Sequence, residues 1–250
     1  LMNKEGKNTF KYHFKNLKQS IGFRLTDGEF TSKQHMLNVL PKPSLLSFDV
    51  AFKFPSYLKK KDLTLSNTGD IEIPQGTEVT WNFETADTES FLFHWSDSSA
   101  QLIQTKENTF SHKQRFMKGG KYGLSSANSY LKHEDTLYYS ISVIPDRRPS
   151  IELDVKQDSL DNKTLYFKGF VKDDYGFSRL MFHAEKDKDT SNNPKQIHIE
   201  IPINKSLPQT DYYHSLNLNQ FELGPNEAVT YYFEILDNDG VNGSKSARTP

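Results

Sequence analysis

The chain has 250 residues and carries 31 Lys and Arg against 32 Asp and Glu, a formal net charge of −1. That balance argues against a broad basic face for nucleic acid, which needs surplus clustered cations. A composition 35% hydrophobic and 13% aromatic argues against disorder. With no cysteine there is no disulfide framework, and no apolar run nears the ~20 residues that span a bilayer.

Residues 1–43 open with a polar stretch, Leu1 to Phe10, that has no signal-peptide character. Ile21 to Leu25, a turn at Asp27-Gly28, and Gln34 to Leu40 then read as the closing part of an incomplete immunoglobulin-like sandwich.

Val39-Leu40-Pro41-Lys42-Pro43-Ser44 recurs as Val143-Ile144-Pro145-Asp146-Arg147-Arg148-Pro149-Ser150. Each copy closes one alternating strand and opens another. Prolines there remove backbone donors and fix φ, which predicts short, stiff linkers about one sandwich apart. The fold class is therefore all-β, with tandem immunoglobulin-like β-sandwich domains at 44–147 and 148–250.

In the first of these, strands are predicted at 46–54, 70–73, 77–84, 90–95, 100–104, 109–116, 120–125 and 136–144. Thr136 to Ile144 places Leu137, Tyr139, Ile141 and Val143 on one face, the period of a half-buried strand. Gly119-Gly120 reads as a hairpin turn, because it enters a strand and not a helix. The second sandwich shows strands near 151–156, 164–171, 177–185, 196–201, 210–217 and 228–236. Leu216 to Leu223 carries too few apolar positions for more than a helical turn. Pro250 falls where a final strand should begin. That strand is expected to be truncated, and the chain to come from a longer protein that supplies the targeting signal and membrane anchor.

Two acidic turns are the sites where chemistry is most concentrated, Lys172-Asp173-Asp174-Tyr175-Gly176 and Leu236-Asp237-Asn238-Asp239-Gly240. Both follow strands of similar sense, so both are expected at one end of the sandwich. Asp173, Asp174, Asp237 and Asp239 are hard oxygen ligands of the kind that suits Ca²⁺. The same residues also supply turn geometry, and the spacing of an EF-hand is not met.

The eight histidines are scattered and form no HxH, HExxH or HxxxH, so zinc has no sequence support. His94 and His183 are expected on strand faces. There is no GxSxG, no P-loop and no GxGxxG. Tyr57, Tyr130, Tyr212 and Tyr213 are candidates for stacking on sugars, although alternation assigns most tyrosines to cores or cross-strand pairs. Lys59-Lys60-Lys61 reads as a solvated loop.

Phe54-Pro55-Ser56-Tyr57 leading to Asn67 through Trp81, Val143 through Pro149, Val171 through Phe177, and Tyr231 through Gly243 together resemble a known family. It is the periplasmic region of a large family of bacterial envelope proteins, prominent in Bacteroidota and catalogued as a domain of unknown function. The resemblance covers most of residues 45 to 247. It implies tandem immunoglobulin-like domains, a periplasmic location and anchoring in the inner membrane through segments outside this chain. It brings no catalytic residues.

The reading is thus a non-catalytic structural or protein-interaction module, not an enzyme, whose partners are other envelope proteins and not nucleic acid. A glycan-binding accessory module is the alternative; it predicts exposed aromatics in one groove. An enzyme is less favoured and would need ionisable groups converging in a pocket.

Overall fold

The computed structural model describes residues 2–133, 135–157, 161, 163–187 and 195–250. The N-terminal stretch forms two separate ribbons, β1 (Asn3–Lys4) with β2 (Phe10–Lys11), and β3 (Ile21–Phe23) with β4 (His35–Leu37). The second ribbon turns at Asp27, whose Oδ1 accepts from Glu29 N (3.1 Å) and Phe30 N (2.8 Å). None of residues 2–42 is buried, so the ribbons add nothing to either core.

The next ten strands are β5 (Ser44–Lys53), β6 (Leu63–Ser66), β7 (Ile71–Pro74), β8 (Glu78–Ala86), β9 (Ser90–Trp95), β10 (Ser98–Gln101), β11 (Ile103–Lys106), β12 (Thr109–Arg115), β13 (Gly120–Ala127) and β14 (Thr136–Ile144). They form two five-stranded sheets, ordered β11-β12-β8-β5-β6 and β10-β9-β13-β14-β7. Lettered in chain order, β5 is strand A, β8 is B, and β9 to β14 are C, C′, D, E, F and G. The sheets are then D-E-B-A and C′-C-F-G, the immunoglobulin arrangement. β7 adds to the second sheet parallel to β14, Ile71 opposite Ile141.

Alternation explains the core between these sheets. Val79, Trp81 and Phe83 of β8 point inward, as do Phe91 and Phe93 of β9 and Tyr122 and Leu124 of β13. Trp81 is completely buried, with ring centroids 5.2 Å from Phe93, 5.6 Å from Tyr122 and 5.8 Å from Phe116. Tyr122 satisfies its hydroxyl by donating to Gly69 O at 2.8 Å. Aromatic packing thus joins strands B and F, where antibody domains place their inter-sheet disulfide.

The second sandwich comprises β15 (Ser150–Gln157), β16 (Thr164–Lys172), β17 (Phe177–Lys186), β18 (Gln196–Ile201), β19 (Gln209–Asn217), β20 (Val229–Asp237) and β21 (Ser246–Arg248). Its sheets are β15-β16-β19 and β18-β17-β20-β21. Phe167, Phe182 and Phe233 fill its centre, Phe182 to Phe233 at 4.8 Å.

Three local expectations are corrected. The stretch 100–104 is not one strand: buried Leu102 marks a crossing, with β10 in one sheet and β11 in the other. Gly119-Gly120 is not a hairpin, because β12 and β13 belong to opposite sheets. A Cβ at Gly119 would lie 2.7 Å from Ile141 O, so the residue permits a close crossing of backbones. A strand expected to begin only at Pro250 is already present as β21, which pairs Leu236 with Ser246 and Glu234 with Arg248. Its sequence, Ser-Ala-Arg, has no apolar alternation to announce it.

Candidate functional site: an ionic junction between two sandwiches

The connection from β14 to β15 is residues 145–149, two prolines enclosing Asp146-Arg147-Arg148. Because β15 runs antiparallel to β16, this linker arrives beside the loop after β16 and the loop after β20. The two acidic turns therefore meet at the end of the second sandwich that faces the first.

Lys245, in the turn between β20 and β21, sits at the centre. Its Nζ donates to Asp146 Oδ2 at 2.6 Å and Asp239 Oδ2 at 2.7 Å, and lies 3.4 Å from Asp237 Oδ2. The three carboxylates are almost wholly buried, with side-chain exposures of 4% for Asp146, 1% for Asp237 and 0% for Asp239. Buried charge is retained only when paired and hydrogen-bonded, and both conditions are met. Asp237 Oδ1 accepts from the N–H of Asp239 (3.1 Å) and of Lys245 (2.8 Å), and Asp239 Oδ1 from those of Val241 (2.7 Å) and Asn242 (3.1 Å).

Contacts around this centre cross from one sandwich to the other. Asn242 Nδ2 donates to Gln75 Oε1 at 3.0 Å, and the Tyr57 and Tyr175 rings meet edge to face at 5.9 Å. Val241 lies over Gly76, where φ is +83° and a Cβ would stand 2.8 Å from both Val241 methyls. Glycine there serves both the turn and the close approach of the second sandwich.

Of the four residues assigned to Ca²⁺, Asp237 and Asp239 come together with a cation between them, the Lys245 ammonium. Asp173 is buried in the neighbouring turn, where Oδ2 accepts from Tyr175 N (2.9 Å) and Gly176 N (3.0 Å). Its Oδ1 has no hydrogen-bond partner. Asp174 is exposed. Among the described residues no group of three or more His, Asp or Glu is arranged to hold a metal.

The electrostatics follow from burial. Burial pushes Asp146 above the usual carboxylate range, with Asp239 and Asp237 adding to the rise and Lys245 offsetting part of it. Burial alone would also raise Asp239. The hydrogen bond from Lys245 and the N–H groups of Val241 and Asn242 outweigh it and hold Asp239 at about 2. Burial, with Asp174, Asp146 and Asp237 nearby, pushes Asp173 up to about 6.

The signs differ. Asp173 binds its proton more tightly in the folded state, so its stabilising effect is present below pH ~4 and is lost as pH rises through about 6. Asp239 stabilises above pH ~4 and loses that effect as pH falls toward about 2. The melting temperature of the second sandwich is therefore expected to peak at mildly acidic pH. Asp173→Asn should flatten the decline between pH 5 and 7.5, as followed by thermal unfolding in matched buffers. An unchanged decline would remove Asp173 as its source.

Asp146 and Lys245 escaped the sequence reading, since they are 99 positions apart with no local pattern joining them. Histidine pairing escaped it too. His94 and His183 lie on strands β9 and β17. His183 Nδ1 is 2.7 Å from His198 Nδ1, and His94 and His133 both bond Ser125 Oγ, at 2.8 and 3.1 Å. Of the tyrosines, Tyr212 is buried, Tyr57 is half-buried at the junction, and Tyr130 and Tyr213 are exposed.

No curated protein matches the chain. A family model described as a domain of unknown function (DUF4175) matches residues 36–247. Similar solved structures include a chicken TCR, at 9% identity and TM-score 0.25, covering 60% of this chain and 88% of that one. A cytokine receptor complex matches at 10% identity and TM-score 0.24, covering 73% and 99%.

Proposed function

The chain belongs to the DUF4175 family, and from that premise we propose that it is a non-catalytic spacer and protein-interaction module in the periplasmic part of a bacterial envelope protein. The observation that carries the reading is the Lys245 centre. It ties the linker residue Asp146 to the Asp239 turn of the second sandwich, with both carboxylates buried. Domains joined by a flexible linker take many orientations. A prolyl linker whose Asp146 carboxylate is held by a largely buried ammonium supports one orientation, as a spacer requires. The periplasmic location and an inner-membrane anchor outside this chain rest on the family resemblance. The lack of cysteine accords with export.

Crosslinking in cells that express the full-length protein, followed by affinity capture and mass spectrometry, tests this. The expected result is reproducible crosslinks from lysines of these sandwiches to other envelope proteins. Crosslinks confined to cytoplasmic proteins would contradict both location and role.

A further inference from the structure

Strands β5 and β12 end, and β8 begins, next to the junction, and their outward faces carry a different charge pattern from the acidic turns. Lys53 and Arg115 both stand opposite Glu78 in register, forming one cross-strand row. Lys113, two positions before Arg115 on the same face, donates to Glu78 Oε1 at 2.8 Å. Lys53 and Arg115 form no close ion pair among the described residues, but the hydrogen bond from Lys113 and the charges of Lys113, Lys53 and Arg115 together hold the Glu78 carboxyl below its usual range. Three cations therefore face one carboxylate, and two positive charges remain over in a chain whose net charge is −1.

This row lines a cleft of about 450 Å³ between the sandwiches. Phe54 and Tyr57, both half-buried, line it together with Gly240 and Val241 of the second sandwich. Concave sites of this size at domain boundaries suit small ligands. Paired cations recognise carboxylates, and an aromatic wall offers a pyranose ring an apolar face to lie against.

We propose that this cleft binds a carboxylate-bearing saccharide, its acid group drawn to the excess positive charge of Lys53, Lys113 and Arg115 around Glu78 and its ring beside Phe54 and Tyr57. The proposal is independent of the spacer reading, since a rigid junction can stand with or without a ligand beside it.

Isothermal titration of the whole chain with trigalacturonate tests it, with maltotriose, tri-glutamate and inorganic phosphate as comparisons. Saturable binding of trigalacturonate is expected, with no binding of maltotriose and weaker binding of the other two. The Lys53→Ala/Arg115→Ala double variant should bind at least about tenfold more weakly, because hydrogen bonds to charged groups are lost. Its melting temperature should change little, since both side chains are exposed and their attraction to Glu78 is that of a surface pair. Raising salt from low to high concentration should also weaken binding. Equal binding of maltotriose would show that the cations do not select the ligand. Equal binding of tri-glutamate or phosphate would show an anion site without sugar recognition. Absence of trigalacturonate binding at millimolar concentration, or affinity unaltered in the double variant, would overturn the proposal.

Discussion

Replacing Lys245 with methionine is expected to lower the unfolding free energy of the second sandwich by about 3 kcal/mol, the cost of breaking a buried ion pair from one side. Methionine keeps most of the side-chain volume and removes the charge. Asp146, Asp237 and Asp239 would then remain buried with no ammonium among them. The backbone N–H groups that Asp237 and Asp239 accept from would still be in place, so the loss isolates the effect of the cation. The deficit should shrink as pH falls, because protonated carboxyls no longer need a counter-charge. Urea unfolding of wild type and variant at pH 7.5 and pH 4.5 measures both effects. A loss below about 1 kcal/mol at pH 7.5 would place Lys245 with ordinary surface pairs.

Trp81→Ala is expected to destabilise the first sandwich by about 3–5 kcal/mol, as removal of a large aromatic from a packed core does. Trp81 contacts aromatic rings on strands C and F as well as Phe116 just after strand E, so truncation opens a void between the sheets. Tyr122→Phe keeps the ring and loses the bond to Gly69 O, at a cost of about 1 kcal/mol. Separate unfolding transitions for the two sandwiches, followed by tryptophan fluorescence in the first and amide exchange in the second, would assign each loss. A small effect of Trp81→Ala would mean that neighbouring rings collapse into the space.

The strands that face a core were legible from alternation. Thr136–Ile144 has the bounds its alternation predicts, and the strand predicted near 228–236 is β20, because period-two patterning records burial on one face. Strands without such burial were hidden. Leu63–Ser66, at a sheet edge, and Ser246–Arg248 are short and each packs a single residue, Leu65 or Ala247, against a core, which leaves little trace in side-chain pattern. The crossing at Leu102 was hidden because a residue that enters the core between two sheets has the same apolar identity as one within a strand.

At the junction the sequence showed the acidic turns and their common end. It did not show the counter-ion. Lys245 lies in a polar turn typical of any loop, and only the topology brings it to Asp146. Asp146 itself lies inside the proline repeat, where nothing local marks its carboxylate for burial.

By holding the linker residue Asp146 against the second sandwich, the Lys245 cluster is proposed to fix the angle between the sandwiches. Residual dipolar couplings measured for both domains of the whole chain in one alignment medium test it most directly. A single alignment tensor is expected to fit both sandwiches in the wild type, and two different tensors in Lys245→Met. Two different tensors in the wild type would contradict a fixed junction and leave the cluster as a stabiliser of the second sandwich alone.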